Sequence, residues 1–250
     1  MVVIRTSREL ALMREAGRIS ANALKLAGEA VEPGVSTLEI DTIVRKYIEK
    51  EGAIPSFLGY GGFPASACIS VNDVVIHGIP SKKCILKEGD IVSVDVGAFI
   101  DGFHGDNAYT FPCGKISAEA QALLKATEES LYEGIKAAVA GNRIGDIGHA
   151  VQKYVEDRSY SVVRDFVGHG VGAKLHEDPA VPNYGTPGRG VRLMPGMTIA
   201  IEPMITAGDY KVKVLDDDWT TITVDGSLAA HFEHTVAITP DGPKILTIPD

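Results

Sequence analysis

Apolar residues recur at helical spacing in two stretches that resemble one another. Ile40, Val44, Tyr47 and Ile48 fall on one face of a helix, and so do Ile147, Val151, Tyr154 and Val155. The second stretch repeats the first 107 positions on: Val44-Arg45-Lys46-Tyr47-Ile48-Glu49 aligns with Val151-Gln152-Lys153-Tyr154-Val155-Glu156. A second, unlike segment shares that offset. Leu86, Gly89, Ser93, Val94 and Asp95 align with Leu193, Gly196, Ala200, Ile201 and Glu202. One offset for two dissimilar elements points to an internal duplication, with halves at about 7–113 and 117–240.

Each half reads as two helices followed by strands. Thr6-x-x-Glu9 and Ser36-x-x-Glu39 have capping-box spacing, which predicts helices over 7–30 and 37–50, the second stopped by Gly52. Their counterparts are expected over 118–139 and 146–157. Strand patterns follow over 91–100 and 107–111, with Asp101-Gly102 as the turn between them. The partners in the second half are 197–205 and 235–238, and 210–224 reads as an added hairpin. Strands follow strands without intervening helices, so the pattern is α+β with antiparallel pairing and not an eight-fold β/α barrel. No low-complexity linker separates the halves, which predicts one domain over 1–250.

Composition narrows the function more than the fold. With 45% hydrophobic and 23% charged residues over 250 positions, disordered, collagen-like and coiled-coil chains are excluded. No apolar run approaches the roughly 18–20 residues of a membrane span, so no membrane partner is expected. The first ten residues carry Arg5, Arg8 and Glu9 with no apolar core behind them, unlike a signal peptide. Cys68, Cys84 and Cys113 are odd in number and widely spaced, which predicts reduced thiols in a cytoplasmic protein. A formal charge of −9 disfavours binding driven by phosphate attraction, so DNA is not an expected partner.

The acids are also oddly placed. Asp95 lies in Ile91-Val92-Ser93-Val94-Asp95-Val96 and Glu202 in Thr198-Ile199-Ala200-Ile201-Glu202-Pro203, both apolar strand patterns. A carboxylate there is costly to bury unless paired or bound to a cation. The repeat makes the two equivalent, so a pseudo-two-fold axis would bring them face to face. Each half offers a second acid near its next strand, Asp106 and Glu233. Four converging carboxylates repel, and two divalent cations would balance them. His169, in Gly168-His169-Gly170-Val171-Gly172, adds a nitrogen ligand. His77 and His176, on residues alone, read as loop histidines.

Several segments together carry a resemblance. Val75-Ile76-His77-Gly78-Ile79-Pro80, Ser93-Val94-Asp95-Val96-Gly97, Gly105-Asp106, the Gly168–Gly172 run, Leu175-His176-Glu177-Asp178-Pro179, Ile201-Glu202-Pro203 and Phe232-Glu233-His234-Thr235 resemble the short bacterial methionine aminopeptidases. These are "pita-bread" metallopeptidases, and the likeness runs from Ile4 to Leu246. It implies a pseudo-two-fold antiparallel sheet covered by helices. It also implies two divalent ions per chain, whether Co, Mn, Fe or Zn, on Asp95, Asp106, His169, Glu202 and Glu233. The implied reaction removes the N-terminal methionine when the second residue is small, by attack of a metal-bridging hydroxide. Glu202 then shuttles the proton, while His77 and His176 contact the peptide around the scissile bond. The implied partners are N-termini of nascent chains, met at the ribosome near the exit tunnel, and the enzyme is expected as a monomer.

The implied methionine pocket falls on Tyr60, Phe63, Cys68 and Trp219, with Phe57 and Leu175 nearby. Here the chain departs from the common pattern: Phe57 stands where cysteine is frequent, Phe63 where tyrosine is, and Leu175 where phenylalanine is. The pocket stays apolar, so methionine preference should persist. Trp219, set among Asp216, Asp217, Asp218 and Thr220, is expected to be partly exposed. Two alternatives share the fold: an X-Pro-directed aminopeptidase, which usually carries a further N-terminal domain, and a binding protein that has lost its metals.

Overall fold

The computed structural model describes residues 2–250. Helix α1 spans Ser7–Glu29 and α2 spans Thr37–Lys50. Both start in the capping boxes anticipated above. The Thr6 hydroxyl accepts from the Glu9 amide while the Glu9 carboxylate accepts from the Thr6 amide, and Ser36 and Glu39 repeat this. Helices α3 and α4 cover Ala118–Ala137 and Ile144–Glu156. The last begins two residues before the expected position, because the Asp146 carboxylate accepts the Arg143 amide at 2.7 Å and closes the turn earlier.

A nine-stranded antiparallel sheet lies against these helices. Its path runs Ile54–Pro55, Ile91–Ile100, Phe103–Pro112, Glu233–Thr239, Thr198–Ile201, Gly168–Gly170, Glu177–Val181. Ala67–Val71 joins at Ile91–Ile100, and Gly242–Ile245 at Glu233–Thr239. The second strand of the first hairpin starts at Phe103, four residues before the expected 107. Asp101 and Gly102 both take positive φ (50° and 84°), so the strands pair right up to the turn, with Ile100 opposite Phe103. The expected strand over 197–205 is instead two, Thr198–Ile201 and Met204–Thr206. Pro203 has no amide to continue the ladder. The expected hairpin over 210–224 forms as Val212–Val214 paired with Thr221–Thr223, which also pairs with Val74–Ile76.

Period-two alternation decides which face each residue takes. Val92, Val94 and Val96 share one buried cluster with Ile40, Val44 and Ile48 of α2 and Ile19 and Ala23 of α1. Further along the sheet, Ile199, Ile201, Val236 and Ile238 pack with Leu123 and Leu131 of α3 and Ile147 and Val155 of α4. Asp95 therefore points to the side away from α1 and α2, as does Gly97. Asp106 lies opposite Gly97, and Ala108 lies opposite both Asp95 and Glu233. Cross-strand partners share a face, so three of the acids emerge together on the side the helices leave open.

Candidate active site

On that face is a cleft of about 190 Å³. All thirteen residues singled out from the sequence line it: Phe57, Tyr60, Phe63, Cys68, His77, Asp95, Asp106, His169, Leu175, His176, Glu202, Trp219 and Glu233. They come from several separate segments of the chain, and the sheet register joins those segments. Glu202 directly follows the Thr198–Ile201 strand and Glu233 starts the neighbouring one, whose His234 pairs with Ile201. Asp106 is fixed from across the sheet: its amide donates to the Thr235 hydroxyl at 3.1 Å, and that hydroxyl donates to the Asp106 carbonyl at 2.8 Å. His169 sits in a strand too crowded for a side chain beside it. A Cβ on Gly170 would lie 2.2 Å from the Asp178 carbonyl oxygen.

Electrostatics at the floor of the cleft is unbalanced without a cation. His169 Nδ1 donates to the Gly170 carbonyl at 2.8 Å, which leaves the Nε2 lone pair facing Glu202 Oε1 at 3.5 Å and Asp106 Oδ2 at 3.9 Å. Burial, with His176 beside it, drops the His169 pKa to about 3, so this ring is neutral near pH 7. Asp95 Oδ1, Asp106 Oδ1 and Glu233 Oε1 are buried with no hydrogen-bond partner among the described residues. Burial first, then facing negative charge, pushes Asp95, Glu202 and Glu233 well above the usual carboxylate range, and burial pushes Asp106 to about 7. Ligand atoms of Asp106, His169 and Glu233 lie within 4.8 Å of one another. Acceptors that converge without a donor could hold a divalent cation, and oxygen ligands with one imidazole suit Mn, Fe, Co or Zn.

Above the floor the walls turn apolar. Phe57, Phe63, Ala65, Cys68 and Leu175 form one buried cluster, with the half-buried Trp219 set edge-on to Phe63 at 5.1 Å. Cys68 is directly opposite Asp95 in the sheet, so the apolar pocket adjoins the acids. His176 is exposed at the rim, its Nδ1 2.8 Å from the Tyr60 hydroxyl and its ring 4.1 Å from that of His169. His77 follows the Val74–Ile76 strand at φ 59°, a conformation uncommon outside glycine and asparagine, and its ring meets the edges of Phe166 and Trp219. Burial lowers His77 to about 4 and also lowers His176, so both rings are neutral donors and acceptors near pH 7.

Known proteins agree with this geometry. The model of metallopeptidase family M24 matches residues 11–240. The methionine aminopeptidase of Clostridium acetobutylicum is 55% identical over 248 residues, which is 99% of each chain. The chain belongs to the methionine aminopeptidases of family M24. A crystal structure of the methionine aminopeptidase from Thermotoga maritima superimposes with a TM-score of 0.97 at 48% identity, covering 99% of both chains. The prolidase of Pyrococcus horikoshii shares the fold at a TM-score of 0.80 and 23% identity, but this chain spans only 65% of it. The M24 fold is thus the curled antiparallel sheet with four helices described above.

Sequence reasoning missed several neighbours of this M24 cleft. Ile76, Phe166 and Val167 line it, the last two just ahead of the Gly168 run. His231 is fully buried, with Nε2 3.6 Å from Glu202 Oε2 and no hydrogen-bond partner among the described residues. It stands two residues before Glu233 but belongs to a strand of another sheet, Ala229–His231, so no local alternation pattern pointed to it.

Proposed function

We propose that this chain removes the N-terminal methionine from nascent polypeptides whose second residue is small. The observation that carries the proposal is the junction of an apolar pocket with a floor of converging, unpartnered carboxylates. The pocket would take the methionine side chain, since Phe57, Phe63, Cys68, Leu175 and Trp219 offer apolar and polarizable surface without a charge to repel a thioether. Asp95, Asp106, His169, Glu202 and Glu233 would hold two divalent cations. Bound there, such ions supply a water acidic enough to act as nucleophile near neutral pH and a Lewis acid for the carbonyl.

The protein's own groups have separable tasks in this reading. His176, steadied by Tyr60, hydrogen-bonds the carbonyl oxygen as negative charge develops on it. His77 hydrogen-bonds the peptide nitrogen on the leaving side. Glu202 accepts a proton from the attacking water and delivers it to the departing amine. Phe166 and Trp219 narrow the mouth and limit water around the scissile bond.

Organisation and setting follow from the same reading. The shared offset of 107 supports a single catalytic domain over 1–250 built from halves at about 7–113 and 117–240, each contributing acids to one site. Among the described residues no helix is long and apolar enough to cross a membrane. We place the enzyme in the cytoplasm as a monomer, meeting its substrates at the ribosome near the exit tunnel. Its −9 charge argues against DNA as a partner.

The test strips metal, restores Mn, Co, Fe or Zn singly, and offers Met-Ala-Ser, Met-Lys-Ser and Ala-Pro-Ser with products identified by mass. Metal-dependent loss of methionine from Met-Ala-Ser alone is the expected result. Cleavage confined to Ala-Pro-Ser would move the assignment to X-Pro bonds. No cleavage despite bound metal would leave a binding protein.

A further inference from the structure

The segment ahead of α1 reaches the loop that carries His176 through one buried arginine. Arg5 is only 8% exposed, and its Nη2 donates to both carboxylate oxygens of Glu177, at 2.6 and 2.5 Å. Its own backbone is tied down, the Arg5 amide donating to the Gly196 carbonyl at 2.8 Å. Its guanidinium faces the Phe103 ring at 5.5 Å. It also fills the space over Gly172, where a Cβ would come 2.0 Å from Nη2. Three elements therefore converge on this one side chain: the chain start, the central hairpin and the loop that follows the Gly168–Gly170 strand.

That loop carries His176. Residues 172–176 form neither helix nor strand, and Lys174 and His176 are exposed. What closes it is a short set of polar contacts. The Lys174 amide donates to Glu177 Oε1 at 3.0 Å, the Gly172 amide to the Lys174 carbonyl at 3.0 Å, and the His104 amide to the Gly172 carbonyl at 2.9 Å. Glu177 is thus the hub of the loop, and Arg5 is the charge that holds the hub. Without that partner the half-buried carboxylate would lose the contact that fixes it under the loop.

We propose that Arg5 is a positioning residue for His176, acting through Glu177 to set where the imidazole meets the peptide carbonyl. The proposal rests on the reading of His176 as a peptide-binding group, and nothing in the sequence motifs pointed to Arg5. A side chain displaced by about 1 Å from a reacting bond costs up to a hundredfold in rate. The effect belongs in kcat, because His176 is read as meeting the carbonyl oxygen as charge develops on it in the transition state.

Two variants and two readouts test this. Arg5→Met keeps most of the volume and removes the charge; Glu177→Gln is milder and retains an acceptor, in case the first fails to fold. Each is made in the wild-type and His176→Ala backgrounds, with Arg5→Lys as the conservative control. On Met-Ala-Ser with Mn restored, the single variants should lose about tenfold to a hundredfold in kcat with KM little changed, and Arg5→Lys should recover part of it. In the His176→Ala background the same changes should cost less than about twofold, because the residues act through one group. Full multiplicative losses in that background would reduce Arg5 to a general stabiliser. The second readout needs no substrate: spectra of isotope-labelled histidine rings, with His176 assigned by its loss in His176→Ala. Its signal should move in Glu177→Gln while those of His149, His231 and His234 stay put. An unmoved His176 signal overturns the proposal even if the chain proves inactive on every peptide, so the two failures are distinguishable.

Discussion

Individual side chains in this protein are defined less by their identity than by what surrounds them. Asp106 and Glu233 each leave a buried oxygen unpartnered at the centre of the acid cluster. Replacing either by alanine should remove bound divalent metal and lower cleavage of Met-Ala-Ser by more than about a hundredfold, beyond what loss of a supporting contact costs. Metal content by mass spectrometry beside the rate checks this, and a variant with full metal and near-normal rate would break the ligand assignment. His77 is a different case, since burial lowers it to about 4. Its folded pKa lies below the unfolded value of 6.5, so the neutral ring contributes stability that is present above pH 6.5 and lost as pH falls towards 4. Titration of the His77 ring by NMR should show an inflection near the lower value; one near 6.5 would mean the ring is solvated.

The elements meet closely because small residues were placed where backbones cross. A Cβ on Gly105 would lie 2.4 Å from the Gly17 amide nitrogen, so α1 rests directly on the strand that carries Asp106. Backbone cannot swing aside as a flexible side chain can. Gly105→Ala should therefore destabilise the fold by about 1–3 kcal/mol, read from urea unfolding. Because Asp106 is the next residue, metal affinity should fall as well. Unchanged stability would show that the helix can shift freely on the sheet. Much at this scale was legible beforehand. The capping boxes at Thr6 and Ser36 and the Asp101-Gly102 turn are local signals, and all three form. The split of the 197–205 pattern at Pro203 was also written in the residues, but apolar continuity through Ile199, Ile201 and Ile205 masked it.

For the whole molecule, the cleft is a place where the fold concentrates like charge. Four carboxylates crowd one face, and divalent ions relieve them, so metal binding should act as a folding ligand. At a free metal concentration about a hundred times Kd the linkage amounts to about 2.7 kcal/mol. For a chain of this size that corresponds to a melting point roughly 5–10 °C higher than that of the stripped protein. Thermal scans at neutral pH with and without Mn would measure it. Identical curves would mean that the acids hold no ion in the folded state.

The chain by itself determined the periodicities, the caps, the turn and the duplicated placement of Asp95 and Glu202. Each of these depends on residues close in sequence or on a pattern repeated at a constant offset. It also marked the acids as anomalous, because a carboxylate within an apolar strand is conspicuous without any coordinates. Only the tertiary structure decided what those acids face. Asp106 joins Asp95 on one side of the sheet because Gly97 is its cross-strand partner, and Glu233 joins them through Ala108. The nearness of His231 to Glu202 and the hold of Arg5 on Glu177 were likewise invisible, the latter pair being 172 positions apart. The physical reason is the same throughout. A local pattern sets which way a side chain points along its own element, whereas register and packing between distant elements set what it meets there.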